Sequence, residues 1–465
     1  MITRNLLPLA ATLLAAVPAV GQQQTAPQPG EPRPFEVPAA RNLTLPNGLA
    51  VSLIPYGEVP KATVTLTLRV GNVDEGAAEV WLADVMGDLL QEGTTSRSAE
   101  RIAQDAAGMG GDVSVSIGEN LTTVAGDALS EFTPQMVALI ADLVLNPAFP
   151  EQSLERIRAD RQRQLAIQLS QPQSRALRQF RAALYPDQAY GRVFPTADMV
   201  QGYTVERVRR FHAENVSAAR ARLYISGRFD AAATEAAIRE AFGSWDGGST
   251  APPATPSPRA ERVIHLVDSP GAAQSTIYMG LPVVDPSDED FIALQVTNSL
   301  LGGAFASRIT SNIREQKGYT YSPYSTVSTR YRDAYWAEIA DVTTAVTGPA
   351  LTEILGEIER LRDEAPPADE LRGIQNYMAG TFVLQNSSRR GIVSQLSFVD
   401  LHGLGREWLE RYVPRLHEVT PEDVQRVTRA HIDPARMTIV VVGDRAVVES
   451  QLEEFGEVRL MTPSP

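Results

Sequence analysis

Two groups of residues have types and spacings suited to chemistry. Asp84 and Asp88 stand four apart in a stretch where Leu82, Val85, Met86, Leu89 and Leu90 recur at helical spacing. A helix there places both carboxylates on one face, opposite the apolar stripe. Two carboxylates make a poor cage for a hard cation, which needs more oxygen ligands, so the pattern reads as a solvated helix face lining a cavity. The second group is Arg314, Tyr319 and Tyr321. Arg314 falls near the end of an amphipathic helix and Gly318 suits the turn that ends it. Tyr319 and Tyr321 then alternate along an expected strand, on one face. A guanidinium and a phenol converging there are fixed donors of the kind that suit an oxygen gaining negative charge. The plainer alternative is an Arg314 paired with a nearby carboxylate and a Tyr321 packed in the sheet.

Other chemistries lack support. The chain has no cysteine, which removes disulfides and thiolate sites. None of the histidines at 212, 265, 402, 417 and 431 has another three or four residues on, and no G-x-S-x-G elbow occurs. The glycine-rich 300–304 segment, with Gly302 and Gly303, lacks the Lys-Ser/Thr of a phosphate loop and reads as a flexible connection after a helix.

These residues must be held by a folded scaffold of 465 residues. At 43% hydrophobic and 21% charged the chain is globular in composition, and its length suits more than one core. A net charge of −14 argues against wholesale binding to nucleic acid or anionic membrane. Residues 1–21 have the short basic start, apolar run and small-residue end of a signal peptide, which predicts export, in a bacterium to the periplasm. Residues 22–38 are rich in Gln, Pro and Ala and read as a flexible tail.

Thr204, Val208, Arg210, Ala219, Arg220 and Gly227 recur at the same mutual spacing as Thr420, Val424, Arg426, Ala435, Arg436 and Gly443. Each set reads as an amphipathic helix, a connector and an apolar strand ending at glycine, so the chain holds two homologous halves. The expected boundaries are 39–243 and 263–461, with a Pro/Gly/Ser-rich linker over 244–262. Alternation over 62–70 predicts a half-buried strand with Val64, Leu66 and Leu68 inward and Thr63, Thr65 and Thr67 outward. A second alternating strand is expected over 113–117, and helices over 81–90, 131–145 and 154–169. The class is α+β: an α/β sandwich in each half, of antiparallel or mixed sheet packed with helices.

With its order of pieces, the sequence resembles the pitrilysin-like inverzincin peptidases, the group that includes mitochondrial processing peptidase and two-chain bacterial proteases. The pieces are Leu45-Pro46-Asn47-Gly48-Leu49, the turn from Gly71 to Glu75, Glu92-Gly93-Thr94, Tyr190-Gly191-Arg192, Leu300-Leu301-Gly302-Gly303, Ser307-Arg308-Ile309 and the run from Arg314 to Tyr321. The resemblance implies a processing-peptidase-like metallohydrolase fold of duplicated halves around a chamber for unfolded peptides. It also implies a zinc motif H-x-x-E-H just before Gly93-Thr94, with a further glutamate ligand about 75 residues on. Here Asp84, Val85, Met86, Gly87 and Asp88 stand at the motif positions, and the later helix reads Arg-Ala-Asp-Arg-Gln-Arg-Gln-Leu over 158–165. The expectation is therefore a chain without its own metal, not active alone. It would be the non-zinc subunit of a heterodimer whose homologous partner carries the zinc. Arg314 and Tyr321 would stabilise the oxyanion of an unfolded peptide, and Tyr319, Gly302 and Gly303 would contact it. The alternative is a catalytically inactive scaffold.

Overall fold

The computed structural model describes residues 36–248 and 255–461. The expected signal peptide, nearly all of the tail and residues 249–254 of the linker lie outside these. At the end of the segment read as a tail, Val37 is buried beside Phe382, Val399 and Leu409, and Arg406 Nη1 donates to Pro38 O at 3.0 Å.

Among the described residues, twelve strands form two six-stranded mixed sheets. In the first half they are β1 (Arg41–Thr44), β2 (Ala50–Pro55), β3 (Lys61–Leu68), β4 (Val113–Ile117), β5 (Thr122–Leu129) and β6 (Ala221–Gly227). The second half has β7 (Val263–Asp268), β8 (Gln274–Val283), β9 (Tyr324–Arg330), β10 (Asp333–Thr343), β11 (Thr438–Gly443) and β12 (Val458–Met461). The orders β1-β2-β6-β3-β5-β4 and β12-β7-β11-β8-β10-β9 are the same plan twice. β6 and β11, the strands of the sequence repeat, pair parallel to β2 and β7 and antiparallel to β3 and β8. The helices before them start alike, since Thr204 and Thr420 each cap theirs by accepting a backbone N–H three residues on.

Four further helices of each half matter here: α1 (Leu82–Leu90), α2 (Thr133–Leu145), α3 (Glu151–Ser170) and α4 (Pro172–Leu184), and their counterparts α5 (Phe291–Asn298), α6 (Thr347–Asp363), α7 (Ala368–Gln385) and α8 (Arg389–His402). One face of each sheet is covered by helices of its own half. Val64, Leu66 and Leu68 pack there with Val85, Met86, Val137 and Ile140, and Trp336, Ala340 and Val342 with Leu294, Leu351 and Ile354.

The other faces are covered by exchange. α4 leaves the first half to lie on β8 and β11, burying Phe180, Leu184 and Tyr185 against Tyr278, Tyr335 and Val440. α8 leaves the second half to lie on β3 and β6, with Ile392 and Val393 against Tyr224 and Ile54. This corrects the reading of 62–70: Thr63, Thr65 and Thr67 are 0, 5 and 6% exposed, so β3 is buried on both sides. Threonine suits either environment, and its alternation with Val and Leu marks two faces without saying that one is wet.

The exchange brings charge with it. Glu119, in the turn between β4 and β5, meets Arg181 of α4 and Arg330 at the end of β9, the latter at 2.7 Å. Both arginines are buried, and Arg330 lies over the Tyr335 ring at 4.5 Å. On the other crossing, Asp400 of α8 accepts from Arg222 Nη1 at 2.8 Å and from the Tyr224 hydroxyl. Each half is thus tied to the other by a helix and by an ion cluster.

Candidate functional site

In the first half, Leu82, Val85, Met86, Leu89 and Leu90 bury one side of α1. Trp81 precedes it in a left-handed conformation, φ 71°, and the Trp81 and Ala83 N–H groups donate to Glu75 at 3.0 and 2.9 Å. The helix start, whose first N–H groups have no internal partners, is capped by the oxygens of a carboxyl group from outside it. Burial pushes the Glu75 carboxyl up to about 8, against the pull of its backbone and Asn72 donors.

Asp84 and Asp88 do lie on one face of α1, but that face is not solvated. It meets α3, where Arg161 forks onto Asp88 with Nε at 2.7 Å and Nη2 at 2.8 Å while Nη1 reaches Asp84 at 3.2 Å. Asn72 Nδ2 donates to the other Asp84 oxygen at 2.8 Å. Burial raises the Asp84 carboxyl above the usual aspartate range, with Asp88 adding to it and Arg161 and Asn72 opposing. A guanidinium of fixed charge thus sits between the carboxylates at the positions corresponding to the zinc ligands. Gly87, at the position of the family's base, is closed over as well: a Cβ there would lie 2.7 Å from Ile117 Cγ1. The residues at these positions do not fit a zinc ion, because Arg161 bridges the two carboxylates and, among the described residues, no other cluster of metal-ligating side chains stands in for the histidines. Arg161 is the residue that sequence reasoning missed. Arginines also stand at 156, 158 and 163 of the same helix, but these pair with Glu92, Tyr203 O and Asp160, so the sequence did not single out Arg161.

Removing Arg161 tests this bridge. Arg161→Ala is expected to cost about 2–3 kcal/mol at neutral pH in urea unfolding, the scale of charged hydrogen bonds lost from a partly buried pair. The deficit should shrink toward pH 4, since without Arg161 the two aspartates repel and one takes up a proton more readily in the folded state. A pH-independent deficit would mean that only packing was lost.

In the second half, α5 does not end at a flexible loop. It continues as a π-helical segment, Ser299–Gly303, which corrects the sequence reading of Gly302 and Gly303. Gly302 fits because the backbone lies against β9 and β10: a Cβ would be 2.6 Å from both Glu338 Oε2 and Ser325 Oγ. Gly303 forms part of the wall of a cavity of about 370 Å³.

Arg314 lies in a second π-helical segment, Ser311–Gln316, and Gly318 leaves it at φ 66° as expected of a terminating glycine. Its Nε donates to Glu315 Oε1 at 2.6 Å and its guanidinium stacks over Phe305 at 3.9 Å. Tyr319 and Tyr321 are not on a strand, since β9 begins at Tyr324. Thr320 between them bridges to Val342, and the backbone turns there. Tyr319 is thereby drawn against the core, while Tyr321 points outward at 88% exposure. The two phenols do not share a face, and among the described residues Arg314 is held by Glu315 and Phe305 rather than by Tyr321. Phe305, Tyr321 and Tyr324 are all exposed. The second half thus displays the rings of Phe305, Tyr321 and Tyr324, with the Arg314 guanidinium, 18% exposed, tucked beneath Phe305. Such a surface offers donors that can grip a carbonyl presented by another molecule.

Comparison with known proteins covers both halves. Residues 53–195 match the family model described as insulinase (peptidase family M16), and residues 202–378 match that described as the peptidase M16 inactive domain. An uncharacterized zinc protease of Streptomyces coelicolor is 25% identical over 399 residues, 84% of this chain and 86% of that protein. One of Mycobacterium tuberculosis is 29% identical over 421 residues, 87% of this chain and 93% of that protein. A crystal structure of a peptidase M16 inactive domain from Pseudomonas fluorescens superposes with a TM-score of 0.80 at 23% identity, covering 87% of this chain and 98% of that one. A protease from Helicobacter pylori also gives 0.80, at 17% identity, over 88% of this chain and 100% of that one. The fold is thus the M16 fold over both halves. With a family model matched in each half and relatives aligned along most of its length, the chain belongs to the M16 peptidase family.

Proposed function

We propose that this chain is the non-zinc subunit of a two-chain M16 peptidase, exported to the periplasm and paired there with a homologous subunit that carries zinc. The observation that carries this reading is the asymmetry between the halves. In the first, the metal-site positions are bridged by Arg161 and the base position is sealed by Ile117. In the second, Tyr321 is exposed and Arg314, partly covered by Phe305 and paired with Glu315, keeps its donors close to the surface. Zinc in the partner would supply the activated water. Arg314 and Tyr321 would supply hydrogen bonds to the peptide carbonyl as its oxygen becomes negative. The substrate is an unfolded peptide, since pairing with a free sheet edge such as β9 recognises backbone with little demand on sequence.

A second reading, a scaffold without a part in catalysis, is favoured by the pairing of Arg314 with Glu315 and its stacking on Phe305. The two part on one experiment. The tagged mature chain, recovered from its own host, is expected to bring down a second chain of similar size with H-x-x-E-H and about one zinc per pair, the number a single three-ligand site holds. Recovery alone or as a zinc-free homodimer would favour the scaffold.

A further inference from the structure

The internal duplication points to a binding site in the second half. Pro150 precedes α3 and Pro367 precedes α7, so Arg161 and Met378 hold the same place on counterpart helices. Asp84 and Asp88 on α1 face Arg161. Gln295 and Ser299, also four apart, lie on the counterpart α5 and its π-helical extension, and they line the cavity with Met378. The location that an ion bridge fills in the first half is therefore, in the second, a space of about 370 Å³.

Its walls are uncharged: among the described residues no acidic or basic side chain lines it. One side is a run of rings: Phe382 against Tyr412 at 4.4 Å, Tyr412 against Trp408 at 5.4 Å, and Trp408 against Phe398 at 5.7 Å. The carboxamides of Gln295, Gln385 and Gln395 and the hydroxyls of Ser299, Thr381 and Ser394 supply the polar groups, and Tyr377, 54% exposed, lies at the rim. Ser394 and Phe398 of α8 are shared with a second cavity of about 410 Å³, which runs under the hydroxyl face of β3 and reaches Ser114 and Ser116 on the edge strand β4.

We infer that this cavity is a subsite for a large uncharged side chain, aromatic or long aliphatic, of an extended peptide. The rings take the side chain, the amides take flanking backbone groups, and the absence of a counter-charge rejects Asp, Glu, Lys and Arg, whose desolvation nothing would offset. This rests on the peptide-gripping role proposed above and adds what is gripped.

The test is binding to the mature chain alone, without protease. Fluorescent, unstructured peptides of one sequence with a single central Trp, Asp or Lys are titrated by anisotropy. The Trp peptide is expected to bind about tenfold more tightly or better, the effect of burying one large apolar side chain. Tyr377→Ala, at the exposed rim, should weaken that preference severalfold. Met378→Arg, which restores the first half's cation, should abolish it, with thermal unfolding verifying that each variant is folded. Equal affinity for the three peptides, or a preference that both folded variants keep, would overturn the subsite and leave the role of Arg314 untouched. Competition by N-acetyltryptophanamide as strong as by the Trp peptide would overturn it in favour of a small-molecule pocket. Absence of binding by any peptide would remove the subsite and the peptide-gripping role together.

Discussion

Arg314→Ala is expected to lower kcat of the reconstituted pair by about 10²- to 10³-fold, the usual effect of removing one fixed oxyanion donor. KM should change little, because the hydrogen bond matters as the carbonyl oxygen gains charge, not in the ground state. The variant should still assemble: Arg314 contacts Glu315 on an exposed side chain and the exposed ring of Phe305, contacts that contribute about 1 kcal/mol or less each. Arg314→Lys keeps the charge but loses the planar fork, so it should recover only part of the rate. Glu315→Ala separates the two readings of the arginine. If Glu315 merely parks the guanidinium until substrate arrives, its removal leaves kcat intact or raises it; if the pair is structural, both variants lose stability and neither has a selective effect on kcat. An Arg314→Ala pair that cleaves at the wild-type rate would end the assignment of an oxyanion role.

Arg330→Met is expected to cost about 3 kcal/mol in urea unfolding, because it removes a buried guanidinium and its charged hydrogen bonds, while Glu119, 34% exposed and still paired with Arg181, recovers part of its solvation. Burial by itself would raise Glu119, but Arg330 and Arg181 together outweigh it and hold the carboxyl below the ordinary glutamate range. A depressed carboxylate contributes stability above its unfolded value of about 4.5 and loses it as pH falls through the folded value. In Arg330→Met that depression weakens, so the deficit should be largest at neutral pH and smaller near pH 4. Glu119→Gln should cost less than Arg330→Met, and the double variant should recover part of the loss, with a coupling above about 1 kcal/mol for groups in direct contact. Simple additivity of the two substitutions would show that the cluster is not a unit. Since Glu119 belongs to one half and Arg330 to the other, the same measurements report how tightly the halves are joined.

Local pattern determined much of this protein. The spacing of Thr204 through Gly227 and its recurrence from Thr420 to Gly443 revealed the duplication, because a cap, an apolar helix face and a buried strand are each written in neighbouring residues. The stripe of α1 and the turn at Gly318 were legible for the same reason. The α+β class followed from mixed periodicities. The absent zinc motif was also plain, since it is a matter of residue type at fixed spacing.

What the tertiary structure decided lies across long separations. Arg161 meets Asp84 from 77 residues away, and nothing in either helix states that the acidic face of one will meet the basic face of the other. The threonine face of β3 is buried because α8, more than 300 residues later, crosses from the other half, as Arg389 Nε on Thr63 Oγ1 at 3.2 Å records. Tyr319 and Tyr321 part company because Thr320 is pinned to Val342 and its hydroxyl donates to Asp341 O at 2.7 Å, so a sequence that alternates like a strand turns instead. Periodicity says which residues share a face; it is the packing of distant elements that decides what each face meets. That decision turned a pair of aspartates into an internal ion bridge in one half and left its counterpart in the other as an uncharged cavity.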